Sequence, residues 1–177
     1  CACGGMINLE FFREDRVTVT PVIMTDEKKR ALQDRLMIFY TGLQRYADQV
    51  LKTQIERTQT GEIDQYLMEL KKLVPQGVEI LSNGHDLSSF GELLHQNWTM
   101  KRELSDTITN EFIDDAYYRA RAAGAVGGKL LGAGGGGFLL LYVEPYNQDK
   151  VRAAMNGMKE VRFGFENQGS HLIFYRP

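Results

Sequence analysis

The chain has 177 residues, enough to bury one sizeable core and short for two. With 43% hydrophobic and 25% charged residues it falls among soluble globular proteins, so disorder and membrane insertion are not expected. Lys and Arg number 21 against 23 Asp and Glu, a net charge of -2, which leaves no surplus of cations for a nucleic-acid backbone, and no nucleic-acid partner is expected.

The cysteines, Cys1 and Cys3, lie at the very start, too few and too close together to staple a secreted fold, so a reducing cytoplasm is the expected compartment. His85, His95 and His171 are scattered, which denies the cysteine pair a four-ligand set, and no metal site is expected. The opening Cys1, in place of a methionine, suggests a truncated or processed piece. Residues 1–24 combine a Gly4-Gly5 turn with two alternating stretches, Met6 to Phe12 and Val17 to Val22, which predict a hairpin or a pair of edge strands. Thr25, followed by Asp26 and Glu27, supplies the N-cap and first-turn acids of a short helix. The apolar run Leu36 to Tyr40 then reads as a buried strand.

From Leu43 to about residue 123 the period is helical. Leu43, Ala47, Val50 and Leu51 share one face of a first helix, and Ile63, Tyr66, Leu67, Leu70 and Val74 that of a second, which Pro75 and Gly77 should kink or break. Ser89 and Glu92 have the spacing of a capping box, ahead of a buried stripe of Phe90, Leu93, Leu94 and Trp98. Asn110 caps a fourth helix, with Glu111, Asp114 and Asp115 near its positive end, Arg119 and Arg121 near its negative end, and Gly124 as its stop. Dipole complementarity accounts for those carboxylates without acid-base chemistry. Beyond lie a short strand at Lys129 to Leu131, a buried one at Phe138 to Val143, and a helix from Asn147 to about Met158. Alternating Val161, Phe163 and Phe165, a turn at Glu166 to Gly169, and Ser170 to Tyr175 predict a terminal hairpin. The order strand, helices, strand, strand, helix, strand predicts an α+β fold. It is the split β-α-β sheet of ferredoxin-like domains, with extra helices in the first crossover.

Eight of the 18 glycines fall between Gly124 and Gly137. Such a block makes sense where the backbone takes positive φ or must come close to a ligand, and its consecutive N–H groups suit an anion, so phosphate is the leading ligand. A tight hairpin whose glycines only relieve crowding is the structural alternative. Gly132, Gly134 and Gly137 match G-x-G-x-x-G, yet the following Phe-Leu-Leu-Leu-Tyr-Val is a strand and not the helix of a dinucleotide fold. The phosphate-loop pattern fails because Gly128-Lys129 precedes Leu130, and the His-Arg-Asp and Asp-Phe-Gly sequences of protein kinases do not occur.

Lys129-Leu-Leu-Gly-Ala-Gly-Gly-Gly-Gly-Phe138 resembles the third signature motif of the galactokinase, homoserine kinase, mevalonate kinase and phosphomevalonate kinase (GHMP) superfamily. The likeness extends to Phe39-Tyr-Thr-Gly-Leu-Gln-Arg45, the stretch Phe90 to Trp98, Thr109-Asn-Glu-Phe-Ile-Asp114 and Phe165-Glu-Asn-Gln-Gly-Ser170, blocks most similar to the bacterial D-glycero-D-manno-heptose phosphate kinases. Ala2 to Asn8 looks like the segment just after that branch's catalytic aspartate. The resemblance implies that residues 25–177 are a GHMP kinase C-terminal domain and that residues 1–24 are a strand or hairpin remnant leading from an N-terminal domain of the same protein. In these kinases the N-terminal domain brings the nucleotide loop, Pro-x-x-x-Gly-Leu-x-Ser-Ser, together with the magnesium ligand and the catalytic aspartate. None of these occurs here, so ATP and Mg are expected mainly on that other domain, no catalytic residue is expected in this chain, and the chain alone should be inactive.

By the same resemblance the activity is ATP-dependent phosphorylation of an alcohol group, on a heptose phosphate destined for nucleotide-activated heptose. The alternatives are a free-standing ferredoxin-like ligand-binding or regulatory module and another GHMP kinase of galactokinase or mevalonate type. Gly132, Ala133, Gly134, Gly135 and Gly136 are assigned to the phosphate and substrate loop through their N–H groups. Lys129 at its entrance is either an anion-facing cation or a solvated strand end. Thr41, Gly42 and Arg45 match a Thr-Gly-x-x-Arg of the heptose branch, with Arg45 either forked onto the substrate's phosphate or in a helix-surface ion pair. Asn97 and Lys101, one helical turn apart, are candidates for a substrate wall, while Trp98 belongs to the core stripe. The three histidines are read as ordinary surface or satisfied side chains.

Overall fold

A computed structural model describes residues 2–43, 47–84, 86–174 and 176, and for 47–51 the backbone alone. Strands β1 (Ile7–Phe11) and β2 (Val17–Pro21) form an antiparallel hairpin in which Ile7 faces Pro21 and Phe11 faces Val17. Helix α1 (Asp26–Gln33) starts at Thr25, whose Oγ1 accepts from the Lys28 N–H at 3.1 Å, with Asp26 and Glu27 in the first turn. Strand β3 (Leu36–Tyr40) buries Met37 and Phe39, the alternation its apolar run requires.

Strands β4 (Ala125–Leu130), β5 (Phe138–Val143) and β6 (Lys159–Val161) join β3 in one sheet of order β4-β5-β3-β6, antiparallel at every step. Read by chain position, that order is second, third, first, fourth: the ferredoxin-like split β-α-β arrangement, as the pattern of elements predicts. Helices α2 (Ala47–Gln59), α3 (Asp64–Ser82), α4 (Ser88–Arg102) and α5 (Glu111–Ala122) fill the first crossover. A 3-10 turn, Pro145–Asn147, and α6 (Gln148–Ala154) fill the second. The main core gathers Phe39, Trp98, Ile108, Ile113, Leu139, Leu141, Val151 and Met155 between sheet and helices. Among the described residues no helix is long and apolar enough to cross a membrane.

Several local expectations change. Helix α3 runs unbroken through Pro75 and Gly77; Pro75 lies on its exposed side and Gly77 is seated against Leu93. The apolar stripe of α3 is wider than expected: Ile63 is buried and Leu67 and Leu70 pack on the core as the spacing predicts, Leu73 and Leu81 are buried too because α3 also packs on α4, and Tyr66 and Val74 are exposed. The Ser89–Glu92 capping box does not form. Asp86 takes its place, accepting from the Ser88 N–H at 3.2 Å and from the Ser88 hydroxyl, bonds that hold its carboxyl below the usual range.

Strand β4 begins at Ala125, four residues before the predicted start at Lys129, and includes Gly127 and Gly128. These two glycines are there for packing. A Cβ on Gly127 would lie within 2.9 Å of the Gly91 carbonyl carbon and of the His95 nitrogen on α4, and nearer still to the Gly91 oxygen. Helix α6 stops at Ala154, short of Met158, with Val151 and Met155 buried as expected. The terminal hairpin is absent from the described residues: beyond Val161 no further strand forms. The chain instead runs against its own start, with the Gly5 N–H donating to Glu166 O at 2.9 Å and the Ser170 N–H to Ala2 O at 3.0 Å. Those backbone groups are thereby taken from any hairpin, and the rest of that expectation, at Tyr175, lies outside the described residues.

Candidate functional site

The glycine-rich loop between β4 and β5 spans residues 131–137 and turns on positive φ at Gly132, Gly134, Gly135 and Gly137. Its base is closed by the Leu131 N–H donating to Phe138 O at 2.8 Å. Two neighbouring backbones clamp it. On one side the Gly135 N–H donates to Ile108 O at 2.8 Å, and a side chain at Gly134 would strike the Ile108 backbone. On the other side the Gly137 N–H donates to Leu43 O at 3.0 Å, and a Cβ on Gly136 would lie 2.6 Å from the same oxygen. The crowding that the glycines relieve is therefore backbone against backbone. Among the described residues, the N–H groups of Gly132, Ala133, Gly134 and Gly136 meet no protein acceptor.

Thr41 is buried beneath this loop. Its N–H and Oγ1 both donate to Gly137 O, at 2.9 and 3.0 Å, and its Oγ1 accepts from the Leu43 N–H at 3.3 Å, so it shapes the loop's return and does not line an open wall. Gly42 follows at φ 75°, exposed and with open space where a side chain would stand. Arg45 lies outside the described residues, as do His85 and the side chains of Ala47, Val50 and Leu51.

Helix α4 lies along β4 and brings Asn97 and Lys101 to the loop. Lys101 Nζ donates to Gly132 O at 2.7 Å, and Lys129 Nζ donates to Asn97 Oδ1 at 3.0 Å. Both ammonium groups are half-buried. Desolvation, with the nearby Lys129 charge adding to it, pushes Lys101 down to about 8, and desolvation lowers Lys129 as well. Trp98, also on α4, is wholly buried against Tyr117, as the core stripe predicts. His95 Nδ1 meets the Tyr117 hydroxyl at 2.7 Å, and burial pushes that phenol up to about 12. Asn110 does more than its spacing foretold: its Oδ1 accepts from the Ile113 N–H at 3.0 Å as the cap of α5, and its Nδ2 donates to Gly135 O at 3.4 Å. The structure thus joins Asn97, Lys101 and Lys129 to the Gly132 end of the loop. It adds the carbonyls of Leu43 and Ile108, which sequence reasoning missed because backbone contacts leave no side-chain signature.

Residues 70–160, from α3 to β6, match the family model of the GHMP kinase C-terminal domain. The chain belongs to this family. A curated relative, the D-glycero-α-D-manno-heptose 7-phosphate kinase of Campylobacter jejuni, is 27% identical over 173 residues, which cover 94% of this chain and 49% of the relative. The bifunctional fucokinase/GDP-fucose pyrophosphorylase of Arabidopsis thaliana is 29% identical over 137 residues, 76% of this chain and 13% of the relative. Among solved structures, the L. major mevalonate kinase in complex with R-mevalonate superposes with a TM-score of 0.69 at 18% identity, covering 94% of this chain and 50% of that one. A D-glycero-D-manno-heptose 1-phosphate kinase from Bacteroides thetaiotaomicron does so with a TM-score of 0.63 at 23% identity, covering 98% and 47%. These structural likenesses carry the fold. The GHMP chain described here spans about half the length of the heptose kinases it matches.

Proposed function

We propose that this chain is the substrate-side domain of an ATP-dependent sugar kinase, working with an N-terminal kinase domain of the same protein and phosphorylating a heptose phosphate in the cytoplasm. The observation that carries the reading is the loop itself: four N–H groups without protein acceptors among the described residues, in a backbone clamped from both sides, beside two half-buried ammonium groups. That set fits a phosphoryl group, whose charge in transfer is spread over its peripheral oxygens and is stabilised chiefly by positioned donors. The N–H groups of Gly132, Ala133, Gly134 and Gly136 are held ready for such oxygens, and the clamp by Leu43 and Ile108 means that little ordering is left to do on binding.

ATP, when bound, supplies the phosphoryl group. The acceptor hydroxyl attacks phosphorus, the bond to the leaving ADP breaks, and the hydroxyl proton passes to a base. That base, the nucleotide loop and the magnesium ligand are assigned to the N-terminal domain. Within this chain no set of three or more His, Cys, Asp or Glu among the described residues is placed to hold a metal ion. The chain's own part is to bind and orient the sugar and to exclude water around the group being transferred.

The test is a phosphorylation screen of the full-length protein against heptose 7-phosphate, free hexoses and mevalonate, run beside this 177-residue stretch alone. Turnover of the heptose phosphate by the full-length protein and none by the stretch alone is expected. A strong preference for mevalonate would overturn the substrate, and turnover by the 177 residues would overturn the assignment of the base.

A further inference from the structure

Both backbone groups of Gly135, near the middle of the glycine loop, are held by one connection, residues 103–110 between α4 and α5. The Gly135 N–H donates to Ile108 O at 2.8 Å, and its carbonyl accepts from Asn110 Nδ2 at 3.4 Å. The place of the loop therefore follows the place of this connection, which has no helix or strand of its own to set its path. Side chains set it instead. Arg57, on α2, donates to Glu103 O and Leu104 O at 3.3 and 2.8 Å and fastens the end of α4. Ser105 is wholly buried; its Oγ accepts from the Thr107 N–H at 3.3 Å, and its carbonyl accepts from the Ile108 N–H at 3.1 Å. One group spans the connection from outside it. Asp114 Oδ2 accepts from Arg102 Nη2 at 2.9 Å, on the last residue of α4, and Asp114 Oδ1 accepts from Thr109 Oγ1 at 2.7 Å, beside Ile108.

Dipole complementarity asks only for negative charge in the first turn of α5, and the exposed Glu111 supplies that without reaching anywhere. Asp115 pairs with Arg119 on its own helix. Asp114 alone of the three leaves its helix to tie the two ends of the connection together, and holding a guanidinium and a hydroxyl at once takes both oxygens of a carboxylate. We infer that Asp114 is a positioning residue for phosphoryl transfer: by fixing residues 103–110 it fixes Ile108 O and Asn110, and through Gly135 it aims the N–H groups of Gly134 and Gly136 on either side. The inference rests on the sugar-kinase reading above and deepens it, naming a residue that acts on the transfer without touching the substrate. Donors stabilise a transferring phosphoryl group only where they are aimed, and a misplacement of about 1 Å can cost about 100-fold in rate.

The full-length protein tests it with Asp114→Asn, Thr109→Val and the control Glu144→Gln. Glu144 makes a similar, partly buried pair with Arg35 at 3.0 Å, but it follows the end of β5 remote from the loop. With heptose 7-phosphate, and with folding at the assay temperature checked by circular dichroism, Asp114→Asn should lower kcat by about 10- to 100-fold while KM for sugar and for ATP stays within about threefold. Thr109→Val keeps the Arg102 pair and should lower kcat by about 3- to 10-fold, which leaves the inference open to test should Asp114→Asn fail to fold. Glu144→Gln should keep the parent's kcat even where its thermal midpoint falls as far. An unchanged kcat in the Asp114 and Thr109 variants, a change in KM alone, or an equal fall in Glu144→Gln would overturn the inference, since a merely structural carboxylate gives one of those results. Were the parent to turn over no sugar phosphate, the sugar-kinase reading would fall. Amide exchange at Gly135 would then decide the hold on the loop: faster exchange in Asp114→Asn than in Glu144→Gln sustains it, and equal exchange ends it.

Discussion

Gly127→Ala adds one methyl group to the contact between α4 and β4. The new carbon would lie within 2.9 Å of the Gly91 carbonyl carbon and the His95 nitrogen, and nearer still to the Gly91 oxygen. Non-bonded heavy atoms rest at about 3.5–4.0 Å, so the helix must lift by about 1 Å. All three obstructing atoms are backbone, and no change of rotamer relieves them. Overpacking costs about 1–3 kcal/mol, and an obstruction this rigid belongs in the upper half, about 2–3 kcal/mol. For a chain of this size each kcal/mol moves the midpoint by roughly 2–4 °C, so thermal unfolding followed by circular dichroism should fall by roughly 4–12 °C. Gly84→Ala is the matched control, because nothing lies within 4 Å of its would-be side chain, and it should stay within about 0.5 kcal/mol of the parent. A Gly127→Ala midpoint indistinguishable from that of Gly84→Ala would refute the claim that the glycine pair sets the distance between α4 and β4.

Asn110→Ala removes both the acceptor for the Ile113 N–H and the donor to Gly135 O, and should cost about 1–2 kcal/mol in denaturant titration, with Asn110→Asp recovering most of the cap. Thr41→Val strips a donor from Gly137 O and the acceptor from the Leu43 N–H, and should cost about 1–2 kcal/mol while accelerating amide exchange at Leu43. For Lys101 the native pKa of about 8 lies below the unfolded value of 10.5, so between those pH values the unfolded chain binds more protons and stability rises with pH. The burial penalty of Lys101 is full below about pH 8 and is relieved above it, so Lys101→Met should flatten that rise in urea midpoints taken from pH 7.5 to 10.5. An equally steep rise in the variant would assign it to other groups.

What was legible in the sequence follows from which forces act locally. Thr25 and Asn110 announce their helices because a capping oxygen bonds three residues ahead, within reach of a sequence pattern. Leu36 to Tyr40 and Phe138 to Val143 announce their strands by apolar runs too short for helices. The errors fall where a distant partner decides. Gly127 and Gly128 fall in the glycine block ahead of the strand expected at Lys129, and it is packing against α4 together with pairing to β5 that makes them strand. Val161 to Phe165 alternates like a strand, but residues 2–5 hold the chain that follows. At the site, the glycine block and Lys101 could be picked out from composition and helical spacing. Their connection to Lys129 and Asn97 required the register of a helix on a strand.

That register has a simple basis in the dimensions of the two elements. Along α4 the chain advances about 1.5 Å per residue, and along β4 about 3.3 Å. From Gly91 to Lys101 is ten residues of helix, about 15 Å, and from Gly127 to Gly132 is five of nearly extended chain, about 16 Å. Gly91 lies on Gly127, Asn97 meets Lys129, and Lys101 meets Gly132: three contacts in step along two elements running the same way. Glycine at the first contact lets the backbones approach, and that approach brings a lysine tip within hydrogen-bond reach at the other two. The glycines of β4 and those of the loop therefore serve one end by different means. Gly127 sets how close α4 comes, and the loop presents N–H groups beside the ammonium of Lys101, which α4 delivers, and that of Lys129 on β4.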